Sequence, residues 1–348
     1  MQALLGTRKG LIILKQKGSG WDIAKTHFDG VKVSYAIVDP KTKWIWAGVA
    51  HGHWGPKLHV SKDKGKTFVE VGTPKFPEQS GVTLKDFWAM SWDSKGRMYI
   101  GTEPAAVFSS DDEGKTWALN TPLFVQRGKS KWFGAGTDAT ALHSLLVNPK
   151  DDNHLIVGIS VAGCLESKNR GKTWEYINLG LKANFLPDVD SEIGQEPHLV
   201  ESSPTNFNML WQQNHCGIFK SEDMGKSWSD LSANKGVVSG FGWAIVTDEK
   251  NEKIAYTIPA LSDETRVPTK KKLVVQKTID GGKTWKAMSK GLPQQNCYDI
   301  VYRHAFAKKE KHLVFGSTTG HVYFSKNEGQ SWVQLKASLP PVYCVKMF

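Results

Sequence analysis

Ser221-Glu222-Asp223-Met224-Gly225-Lys226-Ser227-Trp228 decides the fold, because its pattern, Ser/Thr-x-Asp/Asn-x-Gly-x-Ser/Thr-Trp/Phe, returns five more times in the 348 residues. The other copies are Ser61–Phe68, Ser110–Trp117, Ser167–Trp174, Thr278–Trp285 and Ser325–Trp332, all without a gap. Six copies at intervals of about fifty residues mark a repeat architecture in which each copy belongs to one supersecondary unit.

The composition of the motif is that of a hairpin turn. The Asp or Asn side chain accepts backbone N–H groups of its own turn, Gly supplies a positive φ, and the hydroxyls tie the ends together. The aromatic residue then leaves on the next strand, where its apolar face packs between neighbouring sheets. A carboxylate committed in this way is a poor general base, so the motif aspartates read as structural.

Upstream of each turn lies a short apolar strand, beginning at Tyr35, Trp88, His143, His198, Trp243 and Tyr298. A second strand follows (44–49, 98–102, 155–159, 209–213, 254–258, 313–317), then a third that runs into the turn, so each unit is a four-stranded antiparallel meander. The termini complete a seventh unit: Val342–Lys346 reads as its first strand, Ala3–Thr7 and Leu11–Leu14 as its next two, with Gly18 and Trp21 where the turn would place its Gly and Trp. The expectation is an all-β, seven-bladed β-propeller over residues 1–348 as a single domain, its ring closed by pairing the C-terminal strand with the N-terminal strands.

The bulk numbers agree with this class and restrict the partners. Hydrophobic residues make up 40% of the chain, enough for a buried core, and 14 Trp with 33 Gly suit short strands and tight turns. The net charge of +11 comes mostly from lysine, since only six arginines are present. Lysine is the poorer reader of phosphates and bases, and many of these lysines occupy open positions of the repeated turn; no nucleic-acid partner is expected. No apolar run reaches bilayer-spanning length and no secretion signal begins the chain, so no membrane association is expected. Cys164, Cys216, Cys297 and Cys344 are scattered without metal or redox spacing, which points to a reducing, cytoplasmic compartment.

In a propeller of this strand order the first strands line a central channel, the repeated turns decorate one face, and the loops entering the first strands decorate the other. The long connections 120–142 and 178–197 and the insertion 261–272 all fall on the second face, which marks it as the working face. Around its mouth the topology gathers Glu103, Glu196, Asp138, His143, His198 and His215 as candidate catalytic groups. Arg8, Trp88, Gln213, Asn214, Trp243, Arg266 and Tyr298 join them as candidate ligand-binding groups. Each His or Trp also has a structural alternative, filling the channel and bonding a neighbouring carbonyl.

Two chemistries suit such a mouth. Glycoside hydrolysis needs two carboxyl groups across a pocket with an aromatic floor, which Glu103 with Glu196 or Asp138, above Trp88 and Trp243, would supply. Alternatively His143, His198 and His215 converge on a divalent metal that activates water, although no local ligand-spacing motif assigns a metal and no cofactor is read from the sequence. A non-catalytic scaffold for a protein partner is the reading from a different class, with a small-molecule or carbohydrate ligand the partner in the first two.

The six turns resemble those of the bacterial neuraminidase repeat (Asp-box) superfamily, which includes sialidases, xyloglucan-acting glycosidases, sortilin-type receptors and photosystem assembly factors. Leu142-His143-Ser144, Gly101-Thr102-Glu103-Pro104-Ala105 and Gln212-Gln213-Asn214-His215-Cys216-Gly217 are similar to segments of soluble bacterial propellers described as sialidase-like or glycosyl hydrolases. The resemblance implies the propeller fold and a carbohydrate-active function. True sialidase action is not implied: that group is six-bladed, with an Arg-Ile-Pro element and three carboxylate-clamping arginines, whereas here only Arg8 and Arg266 lie near the mouth.

Overall fold

The computed structural model describes residues 1–18, 20–130, 132–133 and 139–348. Its strands form seven four-stranded antiparallel sheets, each a meander, and the fold class is the seven-bladed β-propeller. By internal contacts the chain divides into two units, Met1–Gly30 with His198–Phe348, and Val31–Pro197.

The first unit holds four sheets. One is stitched from both chain ends in the order Val342–Met347, Gln2–Thr7, Gly10–Lys17, Gly20–His27. The seam between the ends pairs Ala3 with Met347, Leu4 with Lys346 and Leu5 with Val345. The other three sheets begin with strands Pro197–Ser203, Gly242–Thr247 and Phe306–Lys309. The second unit holds three sheets, which begin with Lys32–Val38, Asp86–Trp92 and Leu142–Asn148.

Each of the six repeated turns is built as its residue types require. In the first, Gly65 N–H donates to Ser61 Oγ at 2.8 Å, Thr67 N–H to Asp63 Oδ1 at 3.0 Å, and Thr67 Oγ1 to Asp63 Oδ2 at 2.6 Å. The motif glycines all have positive φ, and so does the residue before each of them: Lys64, Glu113, Arg170, Met224, Gly281 and Glu328. The turn therefore contains two successive left-handed residues, of which only the second is reserved for Gly.

Close approach between consecutive sheets of the first unit explains two glycines. A Cβ on Gly236 would lie 2.0 Å from the carbonyl oxygen of Trp285, and one on Gly291 would lie 2.1 Å from that of Trp332. At these points the link between two sheets lies against the backbone of the following turn. Twenty-seven buried residues of mostly aliphatic and aromatic type, from Ala3 through Tyr256, Phe315 and Trp332 to Val345, form an apolar core cluster in this unit.

Two departures from the sequence reading have physical causes. The innermost strand of the sixth repeat is Phe306–Lys309, paired with His312–Gly316, and not the stretch beginning at Tyr298. There, buried Asp299 accepts bonds from Ser317 Oγ, Thr319 Oγ1, Tyr323 OH and His321 Nδ1, which organises residues 298–303 as a side-chain-bonded loop. The second departure is a helix, Thr121–Lys129, in a connection read only as a long loop.

Candidate functional site

Among the described residues, five innermost strands carry a β-bulge near their entry end. The register shifts fall between Val33 and Tyr35, Phe87 and Ala89, Leu142 and Ser144, Gly242 and Ile245, and Val342 and Cys344. Bulged residues drop out of the ladder and their side chains are re-aimed, a device common beside binding sites. Three of the candidates, Trp88, His143 and Trp243, occupy these positions.

In the second unit the bulges bring Trp88, Glu103 and His143 together. Trp88 Nε1 donates to Glu103 Oε2 at 3.0 Å, and the indole centroid lies 4.9 Å from that of His143. His143 is buried, with Nδ1 3.1 Å from the carbonyl oxygen of Pro197. A carbonyl can only accept, so Nδ1 of His143 carries a proton. Asp86, on the same strand, is buried and ion-paired with Lys32. Asp138 lies outside the described residues.

In the first unit the site is built around His198. This residue is 2% exposed, and its Nδ1 lies 2.6 Å from the carbonyl oxygen of Gly242, so that nitrogen too carries a proton. Trp243 stacks on it (centroids 5.8 Å, interplanar 14°), while His215 and Phe241 meet it edge-on at 5.6 and 5.7 Å. Tyr302 closes the far edge of Trp243 at 5.5 Å. The insertion returns over this cluster: the Arg266 guanidinium stands 5.9 Å from the Trp243 ring centroid, and Asp263 Oδ2 lies 3.7 Å from His215 Nε2.

The run Gln212–His215 divides by role. Gln213 Nε2 donates to the carbonyls of Gly240 (2.7 Å), Gly217 (3.2 Å) and Asn214 (3.3 Å), bracing the connection to the next sheet. Asn214 donates to Gln212 Oε1 and accepts from Cys216 N–H, which closes the turn. Both are buried backbone organisers, and their effect is to hold His215 at the end of its strand. Arg8 is exposed on the turn between the first two strands of the chain, and Tyr298 is exposed with its hydroxyl accepting from Lys271 Nζ at 3.2 Å.

One group among the described residues has the make-up of a metal centre. Glu196, His198 and His215 each present one ligand atom, and these atoms lie within 4.8 Å of one another. Glu196 is buried and sits two residues ahead of His198 on one run of chain, directly before the strand Pro197–Ser203. Two imidazoles and a carboxylate suit Zn²⁺, Mn²⁺ or Fe²⁺. Of the three histidines read as convergent, His198 and His215 belong to this group, with Glu196 as its carboxylate. Phe241, Tyr302 and Asp263 were not singled out from the sequence; the Asp263-Glu264-Thr265-Arg266 run inside a long insertion was the available signal for Asp263.

The sequence matches no protein-family profile and no curated protein. Solved structures share its fold. An ancestral GH74 enzyme aligns with 15% identity over 87% of this chain and 38% of its own, with a TM-score of 0.59. YCF48 bound to D1 peptide aligns with 12% identity over 88% and 82%, with a TM-score of 0.55. A functionally unknown protein from Desulfotomaculum acetoxidans aligns with 9% identity over 98% of both chains, with a TM-score of 0.58. The chain thus spans 38% of the length of the GH74 enzyme. Identities this low establish a shared fold, and the fold hosts both an enzyme and a peptide-bound protein. Among the described residues no helix is long and apolar enough to cross a membrane.

Proposed function

We propose that this protein is a metal-dependent propeller that holds one divalent ion at Glu196, His198 and His215 and acts hydrolytically on a small ligand beside Trp243. The observation that carries the reading is the convergence of those three ligand atoms within 4.8 Å, with His198 already oriented by the Gly242 carbonyl. That carbonyl bond is the outer-sphere support that metal-binding histidines commonly have. A bound ion would supply an acidified water and a Lewis acid. The protein's own residues do the rest: Trp243 and Phe241 form an apolar wall beside the imidazoles, and Asp263 is the carboxylate placed to accept a proton at the solvent edge. Four cysteines without a disulfide fit a reducing, cytoplasmic setting.

The test is metal content. Purified protein stripped with chelator and titrated with zinc or manganese is expected to bind one equivalent. His198→Gln with His215→Gln should abolish that binding, and His143→Gln should preserve it. Equal metal uptake by the double variant and the parent would overturn the assignment.

Glycoside hydrolysis is the second reading, favoured by the placement of Glu103 against Trp88 and by the likeness to the GH74 enzyme. It makes Glu103 and Glu196 the acid and base. If Glu103→Gln leaves turnover of xyloglucan oligosaccharides and aryl glycosides unchanged, this reading fails.

A further inference from the structure

The insertion 261–272 brings Arg266 to the site, and among the described residues that cation has no anionic partner. Arg266 is exposed, its Nε donates to the backbone carbonyl of Asp263 at 2.9 Å, and its guanidinium stands over Trp243. Among the described residues no carboxylate forms an ion pair with it. The bond at Nε anchors one edge of the guanidinium while leaving its two terminal amino groups, the pair that grips an oxyanion in bidentate fashion, outside that bond. The cation–π contact with Trp243, 5.9 Å to the ring centroid, adds to the preorganisation.

The insertion is also held in place. Leu261 N–H donates to Val267 O at 2.9 Å, pinching the loop around Asp263–Arg266. Its return is fixed by Lys271, whose N–H donates to Pro268 O at 2.8 Å and whose carbonyl accepts from Cys297 N–H at 3.1 Å. Lys270 and Lys271 both lie in the left-handed region, at φ 56° and 54°. Neither is Gly, Asn or Asp, so the surrounding bonds maintain a backbone course that the residues alone disfavour. The same loop places Asp263 against His215 and Arg266 against the indole that stacks on His198. One segment thus contacts His215 directly and His198 through Trp243.

A neutral sugar meets a guanidinium and a divalent ion with uncharged hydroxyl oxygens alone. An oxyanion satisfies both. We infer that the ligand of this site carries an oxyanionic group, a carboxylate or a phosphate, and that Arg266 is the residue that selects for it; the inference rests on the metal reading above.

The experiment is calorimetric titration of inorganic phosphate, and separately of oxalate, into protein loaded with one equivalent of zinc. The parent, Arg266→Gln and Arg266→Lys are compared, with zinc content measured on each. The expected result is a rise of tenfold or more in Kd for the preferred anion in Arg266→Gln, partial recovery in Arg266→Lys, and unchanged zinc content in both. The tighter of the two anions identifies the group. If the parent binds zinc but neither anion, or if Arg266→Gln binds both within twofold of the parent, the inference is overturned and the metal site stands. If zinc binding does not depend on His198 and His215, the underlying reading has failed, which the zinc measurement reveals independently of any anion.

Discussion

The repeated turn contains its own comparison at one position. Asp280 accepts from Thr284 Oγ1 and Thr284 N–H, and these bonds hold its carboxyl down at about 2. Asn169 occupies the same place two repeats earlier and keeps the bond to Thr173 N–H, but its Nδ2 now donates to Thr173 Oγ1, reversing the polarity of one link. A carboxyl depressed in the folded state, against about 3.9 when unfolded, contributes stability that is present above the unfolded value and lost as pH falls toward the folded one. Asp280→Asn is therefore expected to fold normally and to lose less urea resistance than the parent between pH 4 and pH 2. Urea midpoints at pH 5, 3.5 and 2.5 check this; parallel acid limbs would show that the carboxylate network is not what titrates. The turn was legible in sequence because its whole bonding pattern lies within eight residues. The metal set was not, because Glu196 and His215 meet only through the pairing of two strands, and nothing in the spacing of His143, His198 and His215 says which of them strand pairing brings together.

At the scale of elements, Asn120 joins three structures at once. Its Oδ1 accepts from Leu123 N–H, capping the helix Thr121–Lys129, and from Trp174 Nε1, while its Nδ2 donates to Gly171 O in the following turn. Asn-Thr-Pro is a helix-start signal, since Asn caps well and Pro fits the first turn, yet a periodic apolar face was missing and the segment reads as loop. The strand beginning at Tyr298 was misread for the opposite reason: Tyr-Asp-Ile-Val-Tyr-Arg alternates convincingly, but the buried Asp299 draws its bonds from side chains and the ladder passes to Phe306–Lys309. Asn120→Ala removes a cap and leaves the Trp174 indole N–H without its acceptor, which should cost about 2 to 3 kcal/mol. Asn120→Asp retains both acceptor bonds and loses the donor to Gly171 O, so it should fall between parent and alanine variant. Denaturant titration of the three proteins decides; an alanine variant as stable as the parent would mean that the cap and the indole bond contribute nothing.

At the scale of the whole molecule the decisive contact is between the two ends of the chain. Gln2 N–H donates to Phe348 O at 3.0 Å and Phe348 N–H to Gln2 O at 2.9 Å, extending the ladder between Val342–Met347 and Gln2–Thr7 to the last residue. The sheet they share also brings Leu5, Val345 and Val342 into the first unit's core, so removing residues 342–348 strips an edge from the Gln2–Thr7 strand and opens that core. Truncation is expected to lower the melting temperature steeply or to yield aggregate. The pairing makes a stronger prediction in the other direction. If the contact matters and the covalent order does not, joining Phe348 to Met1 with a short Gly/Ser linker and opening the chain between exposed Lys250 and Asn251 should preserve fold and melting temperature to within a few degrees. The permuted protein should still bind one equivalent of metal, because none of Glu196, His198 and His215 is near the new break. Calorimetry of the same protein addresses residues 1–348 as one domain: a single cooperative transition is expected, whereas two transitions, one assignable to Val31–Pro197, would show that the two units unfold independently.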